Sequence, residues 1–408
     1  MSIIYNLGIA LYSFAIYVAS FFNEKAKFLK NGRKNIWKEI ENANLGEDVV
    51  WLHSASLGEF EQGRPLIEKI KTDFPQYKIV LTFFSPSGYE IRKNYKEADL
   101  IIYLPADTKR NAAKFLKAIN PKKVFFIKYE YWHYFFKEIN SREIPLYMVS
   151  AIFRPSQMFF KKGGVWYRNI LKSVTHFYIQ DEKSAELLKS IGFENYSVVG
   201  DTRFDRVSEI AASAPKFEEI EKIISGKKVL VAGSTWPPDE DILVEYINNS
   251  QDDFKFIIAP HEIGDDKIKT LISKLKVPYI RYTEINKVAN KDAKVLIIDT
   301  IGMLSFIYQY ADVAYIGGGF GKGIHNILEA ATFGIPVIFG PKHTKFKEAV
   351  DLLELEGGFT ISNKKEFAEL LSTLFYSETF IVYENSKLKA KEYVQKMSGA
   401  TEFIMKNF

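Results

Sequence analysis

Two series of short apolar runs, each run followed by a stretch with helical periodicity, leave this 408-residue chain few architectures. The first series passes through 49–53, 78–84, 100–104, 124–127, 145–150, 176–179 and 197–200. A mixed helical linker, 204–226, separates it from the second, at 228–232, 254–259, 295–298, 313–316 and 336–339. Such alternation predicts parallel sheets with helices on both faces. The expected fold is α/β, with two Rossmann-like domains facing a cleft and an apolar helix in front. The expected domains are 1–44 (helix and basic segment), 45–203, 227–376 and a C-terminal segment, 377–408. In that segment one helix, Ser377 to Met405, is expected to return to the first domain.

The segment Met1 to Asn23 carries no charged residue, and Lys25, Lys27, Lys30, Arg33, Lys34 and Lys38 follow it. A membrane-spanning helix needs roughly 20 apolar residues, so this segment is just long enough. It lacks the basic start of a secretory signal. Basic residues after an apolar helix favour the cytoplasmic side and attract anionic headgroups. Asn6, Ser13 and the tyrosines soften the apolar run, which keeps three outcomes open: spanning, lying in the interface, or plain docking on the first domain.

The formal net charge of +5 is too small to indicate nucleic acid, and none is expected as a partner. It suits an anionic nucleotide or an anionic lipid surface. The absence of cysteine excludes disulfides, thiolate catalysis and cysteine zinc sites. The six histidines form no HxxxH pair, so no metal site is expected.

Chemistry concentrates in loops that follow the apolar runs. After Val313 to Ile316 come five glycines in seven residues: Gly317, Gly318, Gly319, Gly321 and Gly323. A helix is predicted to open next, with His325, Asn326 and Glu329 near its first turn. Glycines let backbone N–H groups approach a phosphate, and a helix N-terminus adds partial positive charge. Asn326 and Glu329 are placed to bond a ribose or base. Ser234 and Thr235 follow another run; their hydroxyls and N–H groups suit a phosphate or a helix cap. His261, in Ala259-Pro260-His261, is a candidate to orient phosphate or base, and Gly302 follows Asp299 after the run 295–298.

In the first half, Ser54-Ala55-Ser56-Leu57-Gly58-Glu59 joins a strand to a helix. Glu59 there is either a general base for a sugar hydroxyl or a helix-start carboxylate that favours the dipole. Ser56 and Gly58 share its loop. Ser85 and Ser87 form a turn and cap with a candidate role in substrate contact. Glu130, after 124–127, is a second candidate carboxylate or a solvent-exposed glutamate.

These residues together resemble the 3-deoxy-D-manno-octulosonic acid (Kdo) transferases of lipopolysaccharide assembly, two-domain enzymes of the GT-B class. The matching stretches are Trp51 to Glu59, Thr82 to Gly88, Tyr103 to Asp107, Glu130-Tyr131-Trp132, Gly200 to Asp205, Ala232 to Thr235, Asp299 to Gly302, Gly317 to Glu329 and Gly340-Pro341. The resemblance implies inverting transfer of Kdo from CMP-Kdo to a lipid A precursor, without metal or other cofactor, at the cytoplasmic face of the inner membrane. It places the base on Glu59 and a second important acid on Glu130. Nucleotide contacts fall on Ser234, Thr235, the glycines from Gly317, Asn326 and Glu329, and the family's basic residue falls on Arg203. The family's Pro-Arg-His lacks its arginine here, so Lys322 or Arg203 is expected to supply that charge. A UDP-N-acetylglucosamine 2-epimerase-like enzyme and a non-catalytic nucleotide-binding protein are the alternatives.

Overall fold

The computed structural model describes residues 2–286, 292–376 and 381–408. The chain divides into two compact units. One comprises Met1–Arg206 with Ser398–Phe408, the other Val207–Met397.

The first unit is built on seven parallel strands: β1 (Val49–Ser54), β2 (Lys78–Phe83), β3 (Leu100–Tyr103), β4 (Lys123–Ile127), β5 (Leu146–Ala151), β6 (His176–Ile179) and β7 (Tyr196–Val198). Every residue of β1 is buried, as a strand covered on both faces requires, and its run is apolar from Val49 to Leu52 for that reason. The strand order is β3-β2-β1-β4-β5-β6-β7. The chain starts in the middle, winds out to β3, then returns to β4 on the other side of β1. Connections from β1 and β4 leave the same end of the sheet in opposite directions, and that switch point is where open α/β sheets take ligands.

The second unit repeats this plan with β8 (Val229–Thr235), β9 (Lys255–Pro260), β10 (Tyr279–Arg281), β11 (Val295–Ile297), β12 (Val313–Ile316), β13 (Val337–Phe339) and β14 (Gly358–Thr360). Its order, β10-β11-β9-β8-β12-β13-β14, puts the switch point between β8 and β12.

Several expectations are corrected. The edge strands β10 and β14 are absent from the apolar series, because each buries only one of its three residues and so writes no apolar run. Strand β8 runs on through Thr235, so Ser234 and Thr235 are strand residues and not the cap of the next helix. Ser234 is left-handed (φ 53°), and the pairing with β9 slips between Gly233 and Thr235. The helix after the glycine loop is only Leu328–Ala331, and His325 and Asn326 precede it. So short a helix provides little macrodipole, which removes that part of the anion argument. The single C-terminal helix is two, Ile381–Met397 and Ala400–Met405, parted at Gly399 (φ 110°). Residues 377–380 of the expected helix lie outside the described residues. In the first unit, Asp205 accepts the Thr401 N–H at 2.7 Å, and Ile404 packs in one cluster with Phe60 and Leu66.

The N-terminal helix, Ser2–Ala19, is the one helix among the described residues long and apolar enough to cross a membrane. It nevertheless rests on the first unit along much of its length. The Tyr5 hydroxyl donates to Asp107, and Tyr134 donates to Asn6 Oδ1 at 2.6 Å. The Tyr12 ring stacks on Phe84 at 5.9 Å, and Ile16 packs against the core. The opposite side shows Ile3, Ile4, Leu7, Leu11 and Phe14 to solvent, from 59% exposure at Leu7 to 83% at Ile3.

Candidate functional site

In the first unit the two candidate carboxylates follow β1 and β4 at the switch point, Glu59 on the helix after β1 and Glu130 on the loop after β4. Glu59 belongs to the first turn of helix Leu57–Asp73 and is nearly buried. The Ser56 hydroxyl makes no backbone cap; it donates to Glu59 Oε2 instead. Facing the other oxygen is Lys128, whose Nζ lies 3.9 Å from Glu59 Oε1. Lys128 follows β4 in the left-handed region (φ 73°), a conformation a lysine adopts only at a cost. Burial first, and the Glu59 charge second, raise the phenol pKa of the adjoining Tyr129.

Glu130 is not a free surface glutamate. Trp132 Nε1 donates to its Oε2 at 2.8 Å, and His53 Nε2 lies 3.3 Å from the same oxygen. Behind it runs a buried chain of polar contacts. His53 Nδ1 is 2.8 Å from Thr82 Oγ1, which also accepts the Trp51 indole N–H at 2.8 Å. Thr82 Oγ1 also donates to the Leu52 carbonyl at 3.4 Å, which ties this chain to the backbone of β1. Trp51 is in turn wedged edge-on against Phe115, Phe126 and Phe135. Sequence reasoning singled out neither His53, Thr82 nor Trp132 as site residues; the pairing of β1 with β2, which sets His53 opposite Thr82, supplies the missing link.

Ser85 caps the helix Pro86–Arg92 through the Ser87 N–H at 3.3 Å, and the two hydroxyls are 3.0 Å apart. Gly58 is the second residue of the helix carrying Glu59. Arg203 also belongs to the first unit. Its guanidinium is held by Asp201, with Nη2 at 2.8 Å. Of the two cations expected to replace the missing arginine, Lys322 is the one in the second unit, exposed on the glycine loop.

In the second unit the structure gathers Ser234, Thr235, His261 and the glycine loop around the carboxyl ends of β8, β9 and β12. The glycines are needed first for packing. A Cβ on Gly317 would sit 2.2 Å from the Ser234 carbonyl oxygen, and one on Gly319 2.5 Å from the Gly340 nitrogen. Asp239, in the first turn of helix Pro237–Asn249, pins this loop. Fully buried, it accepts the Gly318 N–H, the Trp236 N–H and the Tyr315 hydroxyl, each at 2.9 Å. Gly321 accepts Lys342 Nζ at its carbonyl (2.7 Å), and Gly323 turns at φ 139°. Asn326 Oδ1 accepts the Leu328 N–H at 3.2 Å, and its amide donates to Glu329 Oε1 at 2.9 Å.

Three rings close the cluster. His261 stacks on Trp236 (4.5 Å) and on His325 (4.4 Å), while Trp236 Nε1 donates to His325 Nε2 at 2.8 Å. Burial first, and His261 second, lower the His325 pKa to about 4. Gly302 stands apart: it follows β11, which β9 separates from β8 in the sheet. Its neighbour Asp299 is engaged by Arg281 and Thr283. Among the described residues no group of His, Asp and Glu is arranged to hold a metal ion.

Comparison with known proteins adds relatives and a shared fold. Residues 22–206 match the family model described as 3-deoxy-D-manno-octulosonic-acid transferase (kdotransferase). A bifunctional glycosyltransferase/methyltransferase of Fusobacterium nucleatum is 27% identical over 371 residues, covering 87% of this chain and 56% of that protein. The chain thus spans little more than half of that relative. A 3-deoxy-D-manno-octulosonic acid transferase of Rickettsia prowazekii is 28% identical over 376 residues, 89% of this chain and 78% of that one. Among solved structures, the UDP-GlcNAc 2-epimerase of Neisseria meningitidis matches with a TM-score of 0.60 at 16% identity, covering 88% of this chain and 98% of the epimerase. That likeness shows a shared GT-B-like fold. Residues 22–206 thus match the Kdo-transferase family model, and the chain as a whole is similar to Kdo-transferase-like glycosyltransferases and has a GT-B-like fold.

Proposed function

We propose that this chain transfers Kdo from CMP-Kdo to a lipid A precursor with inversion, at the cytoplasmic face of the inner membrane. The observation that carries the reading is the setting of Glu59. It is a nearly buried carboxylate at a switch point, oriented by Ser56 and facing one lysine, as a general base requires. In the proposed step the acceptor hydroxyl displaces Ser56 at Glu59. Its oxygen bonds to the anomeric carbon as the bond from that carbon to the CMP phosphate oxygen breaks. Glu59 takes the hydroxyl proton, and CMP leaves with the bonding electrons. Glu130, held by His53 and Trp132, fixes the acceptor sugar. In the second unit, backbone N–H groups of the glycine loop and the hydroxyls of Ser234 and Thr235 take the charge growing on the phosphate. Asn326 and Glu329 hold the nucleoside.

The docked face of helix Ser2–Ala19 supports an interfacial placement over a spanning one. A helix bound to the globular unit through Tyr5, Asn6, Tyr12 and Ile16 has only its other side free for lipid. Lying in the headgroup plane, it brings the enzyme to a membrane-borne acceptor.

A second reading, UDP-N-acetylglucosamine 2-epimerase-like chemistry, is favoured by the fold likeness to epimerases. Supplying the full-length chain with CMP-Kdo and a defined lipid A precursor, and in parallel with UDP-GlcNAc, separates the two. The expected result is CMP release and an acceptor heavier by whole Kdo residues, whose number the product mass gives. Isomerisation of UDP-GlcNAc without Kdo transfer would establish the second reading instead. Glu59→Gln is expected to lower transfer by about 10²–10⁴-fold while CMP binding persists.

A further inference from the structure

The three rings of the second unit fix more than a shape. Trp236 and His325 are nearly coplanar (12°, centroids 6.3 Å apart) and joined edge to edge by the 2.8 Å hydrogen bond. His261 lies over both, at 25° to Trp236 and 27° to His325. The indole nitrogen has a proton and no lone pair to accept with, so His325 Nε2 must be the bare nitrogen. A neutral imidazole then carries its only proton on Nδ1. Free histidine offers no such fixed choice; here a neighbouring ring makes it.

The partners are themselves held by hydrogen bonds. The Trp236 backbone N–H and the Gly318 N–H bond the same buried Asp239 carboxylate. The His325 backbone N–H bonds the Gly317 carbonyl at 3.1 Å, and the His261 backbone N–H bonds the Thr235 carbonyl at 2.9 Å. Indole, imidazole and glycine loop therefore form one rigid piece at the ends of β8, β9 and β12. A second proton on His325 would break the indole bond and set a cation against His261.

We propose that Trp236 is a positioning residue, holding His325 in the Nδ1–H tautomer so that it serves as a neutral hydrogen-bond donor to an anionic oxygen, phosphate or carboxylate, of the bound nucleotide sugar. The identity of that oxygen rests on the nucleotide-sugar reading above; the tautomer does not. His325 is on this account a directional donor and not the cation that replaces the missing arginine.

The test uses the full-length chain labelled with ¹⁵N-histidine, with His325→Gln to assign the ring. Long-range proton–nitrogen spectra are expected to show His325 protonated at Nδ1 and bare at Nε2, unchanged between pH 5 and 8. Trp236→Phe is expected to give a mixture of the two tautomers. An Nε2–H signal in the unmodified chain, or ordinary titration there, overturns the proposal without any variant needing to fold. For the ligand half, calorimetry with CMP and with UDP is expected to show Trp236→Phe weakening whichever nucleotide binds by about tenfold or more. Unchanged affinity would refute the positioning role. If neither nucleotide binds the unmodified chain, the nucleotide-sugar reading and the ligand half fall together while the tautomer measurement stands.

Discussion

Lys128 shows how one residue can join backbone strain to chemistry. Its left-handed backbone directs an ammonium group towards Glu59. Replacing it by glycine suits the φ angle but removes the charge. Lys128→Gly is expected to leave stability within about 1 kcal/mol of the parent, because relief of strain offsets glycine's chain entropy. Transfer should nonetheless fall by about tenfold or more. Paired denaturation and activity measurements check this, and full activity in the variant would remove Lys128 from the site. His325 makes a second prediction at this scale. Unfolded, it takes a proton near pH 6.5; folded, near 4. Between those values the unfolded chain binds more protons, so this histidine's contribution is complete above pH 6.5 and is lost as pH falls towards 4. After discounting for partial exposure it is on the order of 1–2 kcal/mol. Denaturant titrations at pH 7.5 and 5 should show a smaller pH loss for His325→Gln than for the parent; equal losses would reject the assignment.

At the scale of elements, Asp239 holds the second site together. One carboxylate in the first turn of helix Pro237–Asn249 ties that helix, strand β12 through Tyr315, and the glycine loop through Gly318. Asp239→Ala would leave three donors unpaired, two of them buried, with an expected cost of about 3 kcal/mol and loss of nucleotide binding. A variant with parental stability would show that the loop is held by glycine packing alone. The sequence Trp236-Pro237-Pro238-Asp239 has the form of a helix start with an acidic third position, so the local role was readable. Its reach to Gly318 was not, since that depends on β8 and β12 being neighbours. The same holds for His53 and Glu130: the two residues look unrelated along the chain until β1 pairs with both β2 and β4.

For the whole molecule, the exposed side of helix Ser2–Ala19 is the feature that a soluble enzyme does not explain. Fully burying one leucine in an apolar phase is worth roughly 1.5–3 kcal/mol. Replacing Leu7 and Leu11 together by Asp is therefore expected to weaken sedimentation with anionic vesicles by at least about tenfold. Stability should hold, because neither side chain is buried and the docking contacts run through Tyr5, Asn6 and Tyr12. Undiminished sedimentation would dismiss the interfacial anchor. Length and composition admitted a spanning helix; the ring contacts and the Asp107 bond are what favour the plane of the interface.

The sequence by itself determined the α/β alternation, both doubly wound units and the family motifs, because buried parallel strands write continuous apolar runs and ligand loops follow their carboxyl ends. It could not give the edge strands β10 and β14, the brief helix after the glycine loop or the break at Gly399, where local pattern is weak. Only the tertiary structure decided which polar groups meet: Trp51 with Thr82, His53 with Glu130, Asp239 with Gly318, Trp236 with His325. Those contacts join positions far apart along the chain, and strand order and register, which no local propensity encodes, bring them within hydrogen-bonding distance.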